Sequence, residues 1–223
     1  MSLAAGPIVL QLEDIALEGS LELPDEDLGG LVMLLRLGAL EPPELERALV
    51  GRLNRAGIGA LRLGLLTAQE AHDASLTLEL RFDINLQARR VVAAIEWLLA
   101  RVPACSRIGL FATDTAGAAA LVAAARRPEL VEAVTLLRGR PDLAVSAADR
   151  LVAPTLLIAG GSDEPAIHCN EIAASHLHGP HELLTIPGTG HFTGQRSSID
   201  TCAELTCGWF SSRLASGDLS RVG

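Results

Sequence analysis

Lysine is absent from this chain of 223 residues: all 18 basic residues are arginine, against 27 acidic ones, for a formal net charge of −9. Binding to a phosphate backbone or an anionic lipid surface needs clustered cations, and the densest clusters here are the pairs Arg89–Arg90 and Arg126–Arg127. Nucleic acid and membrane are therefore not expected partners. No apolar run approaches the ~20 residues that cross a bilayer. The stretch Met1–Asp14 lacks the basic segment of a secretory signal, the first basic side chain being Arg36. A cytoplasmic protein is expected, and the wealth of Ala, Leu, Gly and Arg points to a GC-rich bacterial genome.

Cysteine is scarce. Cys105, Cys169, Cys202 and Cys207 form no C-x-x-C pair, and a chain of this size encloses a core without disulfides. The four are read as free thiols without assigned chemistry. Tyrosine is missing altogether, which bears on the choice of chemistry below. Stretches rich enough in Pro, Gly or Ser to separate two units are also missing, so residues 1–223 are expected to form one domain.

What is present is a change of texture along the chain. Ile8, Leu10 and Leu12, then Leu21 and Leu23, alternate with polar residues around Gly19–Ser20, the period of antiparallel strands with one solvated face. From residue 30 onward short continuous apolar runs take over: Leu31–Leu35, Ile58–Leu63, Ile108–Ala112, Ala133–Leu137, Thr155–Ala159 and Leu183–Ile186. Each has the length of a strand buried on both faces of a parallel sheet. Helical patterns separate them, near Pro43–Arg55, Leu86–Arg101, Thr115–Arg126, Pro165–Leu177 and Ser198–Leu214; Val91, Ile95, Leu98 and Leu99 make one clear apolar stripe. The segment Leu66–Asp83 reads as the one long irregular stretch. Strand–helix alternation predicts a doubly wound, mostly parallel α/β sheet with helices on both faces.

Open α/β sheets bind ligands at the carboxyl ends of their strands. Three residues follow strand cores there: Asp114, Asp163 and His191. Nucleophile, acid, histidine is the chain order of the α/β-hydrolase triad. The run Ile108-Gly-Leu-Phe-Ala-Thr-Asp-Thr-Ala-Gly-Ala-Ala-Ala-Leu121 resembles the nucleophile elbow of dienelactone-hydrolase-like proteins of the α/β-hydrolase superfamily. Gly160-Gly-Ser-Asp-Glu-Pro165 is similar to that family's acid loop, and Pro187-Gly-Thr-Gly-His191 to the loop that presents its histidine. Arg81-Phe-Asp-Ile84 and Arg138-Gly-Arg-Pro-Asp142 also fit related bacterial sequences. The similarity runs from about Leu17 to Leu214. It implies an α/β-hydrolase fold without a cap domain, a triad of Asp114, Asp163 and His191, and an oxyanion hole of two backbone N–H groups, those of Leu37 and Thr115.

The sequence departs from that pattern at the elbow, Ala112-Thr-Asp-Thr-Ala116, where two glycines are alanine and the Ser or Cys nucleophile is Asp114. It departs again at Arg36-Leu-Gly-Ala39, where relatives carry His-Gly. Asp114 has two readings: an N-cap of the helix that follows, or a functional carboxylate. Haloalkane dehalogenases and epoxide hydrolases use Asp at this point, but epoxide hydrolases polarise their substrate with tyrosines and dehalogenases place Trp where this chain has Thr115; both usually carry a cap, for which the dozen residues from Leu137 to Arg150 leave no room. Attack of Asp114 on an acyl carbon gives a mixed anhydride. The remaining chemistry is Asp114 and His191 acting together as a general base toward water. Asp163 is either the acid or the cap of a helix whose first turn holds Pro165. His191 follows glycine in a loop, and so faces either the site or solvent. Arg36 is expected beside Asp114, as its ion-pair partner or as a contact for an anionic ligand.

His72, His168, His176, His178 and His181 show no ligand spacing and are read as surface residues, with His176 and His178 near a helix end. Trp97 and Trp209 are expected in core or rim packing. Gly57-Ile-Gly59 precedes a strand and is not a nucleotide loop. No metal or organic cofactor is expected. The functional expectation is a hydrolase of the dienelactone-hydrolase kind, for a small ester, lactone or similar molecule, of weak or unknown activity. The alternative is a catalytically inactive protein of the same fold that binds a ligand or another protein. The sequence carries no signal for oligomeric state.

Overall fold

In the computed structural model, residues 5–12, 15–25, 28–38, 43–102, 105–190 and 195–214 are described, the side chains at 74–77 excepted. A hairpin opens the chain, β1 (Gly6–Leu12) and β2 (Ile15–Glu22), with β2 also antiparallel to β4 (Ile58–Gly64). From β4 onward every pairing is parallel: β3 (Gly30–Arg36), β5 (Ile108–Thr113), β6 (Val131–Gly139), β7 (Thr155–Gly160) and β8 (His181–Ile186) complete one eight-stranded sheet in the order β1-β2-β4-β3-β5-β6-β7-β8. The helices are α1 (Pro43–Arg55), α2 (Ala68–His72), α3 (Ala74–Phe82), α4 (Ile84–Arg101), α5 (Asp114–Arg126), α6 (Glu164–Ala174) and α7 (Arg196–Leu214). Between β6 and β7 the chain makes only a 3-10 segment, Pro141–Arg150.

Strand β3 shows how the core divides. Leu31, Met33 and Leu35 belong to an apolar cluster on one face of the sheet, together with Val91, Ile95 and Leu98 of α4 and the alanines of α5. Val32 and Leu34 belong to a second cluster on the other face, with Leu45, Leu49 and Leu53 of α1 and Phe210 and Leu214 of α7. Side chains alternate across a strand, so a continuous apolar run feeds both layers, and each buried Leu or Ile stabilises the fold by roughly 1.5–3 kcal/mol. The consequence for function is that the carboxyl ends of β3, β5, β6 and β7 are fixed side by side.

Two expectations are corrected. Leu66–Asp83 is not irregular: it holds α2 and α3. Thr67 Oγ1 accepts from the Glu70 N–H at 3.2 Å and Glu70 Oε2 accepts from the Thr67 N–H at 2.8 Å, a reciprocal cap legible as Thr-x-x-Glu. Arg90, almost wholly buried, then grips both Glu70 oxygens at 2.7 and 2.8 Å. The second correction concerns β8. It is an edge strand in which only Ile186 is buried, because no strand pairs beyond it to cover its outer side. No helix among the described residues is long and apolar enough to cross a membrane.

Candidate active site

Strand β5 is buried from Ile108 to Ala112, and Thr113 leaves it in an extended conformation as the N-cap of α5, without a side-chain capping bond. Asp114 is the next residue. Its φ is +50°, a left-handed conformation that costs a non-glycine residue about 1–2 kcal/mol, least for Asp and Asn. The surroundings hold it there. The Arg140 N–H donates to the Asp114 carbonyl at 2.9 Å, and Asp114 forms an isolated parallel bridge with Gly139. A Cβ on Gly117, one turn into α5, would stand 3.1 Å from the Gly139 Cα, so the helix start is pressed against the end of β6. The chain therefore makes a sharp strand-to-helix turn at Asp114, with alanine at positions 112 and 116.

This geometry corrects the N-cap part of the reading of Asp114, while its carboxylate, in the first turn of α5, still complements the helix dipole. The N-cap position belongs to Thr113, Asp114 is one residue too far along the helix, and its side chain is 63% exposed. Thr115 follows, with its side chain buried and its Oγ1 unpartnered among the described residues. Its N–H lies in the first turn of α5, where amides have no intrahelical acceptor. At the neighbouring strand end, the Arg36 carbonyl accepts from the Leu65 N–H at 2.9 Å, and Leu37 is half-buried against the core on the α4–α5 face. Residues 39–42, the remainder of that loop, lie outside the described residues.

Asp163 follows β7 and caps α6, its Oδ1 accepting from the Ala166 N–H at 3.2 Å with Pro165 in the first turn. The side chain is 11% exposed. His191 lies outside the described residues, but the loop before it is defined up to Gly190. Thr189 Oγ1 donates to the Ile186 carbonyl at 2.6 Å, and the Ser162 N–H donates to the Thr189 carbonyl at 2.9 Å. A Cβ on Gly160 would meet the Gly190 carbonyl oxygen at 2.3 Å. The chain thus reaches residue 190 packed against the turn that carries Asp163.

The cation beside Asp114 is not Arg36. No ion pair joins those two; Arg138, near the end of β6, has its Nη2 4.0 Å from Asp114 Oδ1 and its Nε 3.9 Å from Asp163 Oδ2. One guanidinium, 17% exposed, thereby approaches both carboxylates of the expected triad. Sequence reasoning gave Arg138 no role, although its place directly after the apolar core of β6 put it at the ligand-binding end of the sheet. Two residues on, Arg140 grips Asp142 through Nε and Nη2 at 2.9 and 2.7 Å, and that pair holds the Asp142 carboxyl below its usual range. Burial, with the Asp142 charge as a further cause, pushes the nearby Cys169 thiol up. Burial also pushes the Cys105 thiol up to about 11 and that of Cys202 up to about 12. The histidines at 72, 168, 176, 178 and 181 are all exposed. No cluster of three or more His, Cys, Asp or Glu that could hold a metal occurs among the described residues.

Comparison with known proteins places these features. No family model matches the sequence. The crystal structure of a dienelactone hydrolase from Anabaena variabilis superposes with a TM-score of 0.86 at 36% sequence identity, covering 95% of this chain and 98% of that one. The chain belongs to the dienelactone hydrolase family. Est1E from Butyrivibrio proteoclasticus shares the fold, with a TM-score of 0.78 at 14% identity over 95% of this chain and all of that one. In sequence, a Mycobacterium tuberculosis protein named as a phosphoribosyl transferase is 32% identical over 215 residues, 96% of this chain but 46% of that protein. The chain thus spans about half the length of the curated relatives it matches. As a dienelactone hydrolase family member it has the α/β-hydrolase fold, with antiparallel N-terminal strands and no cap between β6 and β7. Asp114 stands at its strand-to-helix turn, between β5 and α5, at φ +50°.

Proposed function

We propose that this protein is a weak hydrolase of small esters or lactones, working in a bacterial cytosol, in which Asp114, Asp163 and His191 form a modified triad. The observation that carries the reading is the elbow: a solvent-exposed carboxylate held at φ +50° at the strand-to-helix turn. Backbone strain persists at functional sites where the surroundings over-determine it. The near end-to-end match to a dienelactone hydrolase supports the choice of substrate class. The transferase name of the mycobacterial protein is not carried over, because this chain accounts for less than half of that protein.

Water is the nucleophile in this scheme. Asp114 and His191 together take its proton as its oxygen adds to the acyl carbon. The negative charge that develops on the carbonyl oxygen is received by the N–H groups of Thr115 and Leu37. The tetrahedral adduct then collapses, breaking the bond to the leaving alkoxide, which takes the proton back. No acyl-enzyme forms, so the mixed anhydride is avoided. The rate is low because water lacks the fixed position of a side-chain nucleophile.

A second reading rests on a separate observation. With Arg138 near both Asp114 and Asp163, the site is also suited to a non-catalytic protein in which the carboxylates serve a charge network and a ligand or protein binds above it. A panel of short activated esters and lactones separates the two, using wild type, Asp114→Ser and His191→Ala. Wild-type turnover that His191→Ala abolishes supports the hydrolase. Turnover gained only by Asp114→Ser means that oxyanion geometry persists and Asp114 has switched the chemistry off. Turnover by none of them favours the binding protein.

A further inference from the structure

Two non-glycine residues among those described have left-handed backbones, Asp114 at φ +50° and Arg138 at φ +49°, and they face each other across the end of the sheet. Asp adopts this conformation more readily than most residues. Arg has no such excuse, and glycine at 138 would carry no strain. What the left-handed turn delivers is the side chain. It sends the guanidinium to within 4.0 Å of Asp114 Oδ1 through Nη2 and 3.9 Å of Asp163 Oδ2 through Nε. Those atoms lie on one edge of a single planar fork, so one residue reaches both the elbow and the acid loop.

We propose that Arg138 is a positioning residue of this site: its guanidinium bridges Asp114 and Asp163, orients the exposed elbow carboxylate and ties the elbow to the acid loop. The inference rests on the reading of Asp114 as the reactive carboxylate. Both distances exceed a direct hydrogen bond, so the bridge acts by charge or through an intervening water and leaves the carboxylate room to accept a proton. A point charge on a flexible stem does not reproduce a rigid fork between two acceptors, so lysine is a poor substitute.

The test uses Arg138→Gln, Arg138→Lys and Arg138→Gly on the best substrate of the ester and lactone panel. A positioning role predicts that kcat falls roughly 10–100-fold in Arg138→Gln, the scale of a misplaced reacting group, while KM stays within about twofold. Arg138→Lys recovers only part of the loss. Guanidinium ion at sub-denaturing concentration restores part of the activity of Arg138→Gly, and sodium chloride at equal ionic strength does not. Activity lost only in proportion to the folded fraction, with no guanidinium rescue, overturns the proposal. If wild type hydrolyses nothing on the panel, the hydrolase reading fails by itself, and the bridge is then judged by thermal unfolding of wild type, Asp114→Asn, Arg138→Gln and the double variant. Non-additive shifts in Tm keep Arg138 as the organiser of a non-catalytic site; additive shifts overturn it.

Discussion

At the β7–α6 junction Asp163 has φ −99° and accepts from an amide of its own helix; at the β5–α5 junction Asp114 has φ +50° and makes no capping bond. Both aspartates follow a buried parallel strand and precede a helix, and both are approached by the same arginine. Yet Asp163 is almost buried and stabilises its helix, while Asp114 is mostly exposed and stands in a strained conformation. One sequence pattern, strand–Asp–helix, thus yields two kinds of carboxylate, and the sign of φ separates them. A carboxylate that stands exposed and makes no capping hydrogen bond is the better candidate for chemistry.

The largest effect that would break this comparison lies in the packing behind each junction. A Cβ on Gly160 meets backbone oxygens of Gly190 and Thr189 at 2.3 and 2.6 Å, whereas a Cβ on Gly117 meets the Gly139 Cα at 3.1 Å. Backbone cannot step aside as a side-chain tip can, so Gly160→Ala is expected to destabilise by about 3 kcal/mol and Gly117→Ala by about 1 kcal/mol. Urea unfolding at neutral pH measures both. Equal losses would mean that the two junctions are equally tolerant and that the tight approach at Gly160 relaxes.

Next in size come the aspartates themselves. Asp163→Ala removes a cap and is expected to destabilise by about 1–2 kcal/mol. Asp114→Gly removes a left-handed non-glycine residue and is expected to be neutral or to stabilise by up to about 1 kcal/mol, strain relief being offset by the greater freedom of glycine in the unfolded chain. Opposite signs in a thermal melt sharpen the contrast. A loss of stability in Asp114→Gly as large as in Asp163→Ala would show that Asp114 is a structural residue after all.

The sheet was legible because buried parallel strands leave an unbroken apolar signature. Five of the six runs, from Leu31–Leu35 to Thr155–Ala159, lie inside observed inner strands, and helix α1 has the expected bounds. Leu183–Ile186 has the same signature but lies at the sheet edge, since composition cannot tell an edge from an interior when the strand is short. The α2–α3 segment was missed although Thr67 and Glu70 spell a capping box, because its apolar residues follow no clean stripe. At the site, strand ends pointed to Asp114 and Asp163, and one arginine lies within 4.0 Å of both. Arg138 escaped because nothing in Leu137-Arg-Gly-Arg140 announces a left-handed arginine, and the pairing assigned to Arg36 depended on a side-chain direction that strand order alone does not fix.

A third helix start sharpens the comparison at acid pH. Glu70, in the capping box of α2, takes hydrogen bonds from Arg90 foremost and also from Thr67, and these hold its carboxyl below the ordinary value of 4.5 against the opposing effect of burial. A lowered folded-state value means that the unfolded chain binds the proton more readily. The stabilisation is therefore fully present above the unfolded range, near 4.3, and is lost as pH falls through the folded value. Glu70→Gln is expected to cost about 1 kcal/mol at neutral pH, the scale of one charged hydrogen bond less its amide replacement, and its deficit should shrink as the solution is acidified through the carboxylate range. The measurement is Tm against pH for both proteins, and curves that stay parallel would mean that the Glu70–Arg90 pair adds no pH-dependent stability. Convergence would mark Glu70, like Asp163, as a carboxylate engaged in holding the fold through hydrogen bonds of its own helix start, in contrast to the exposed Asp114.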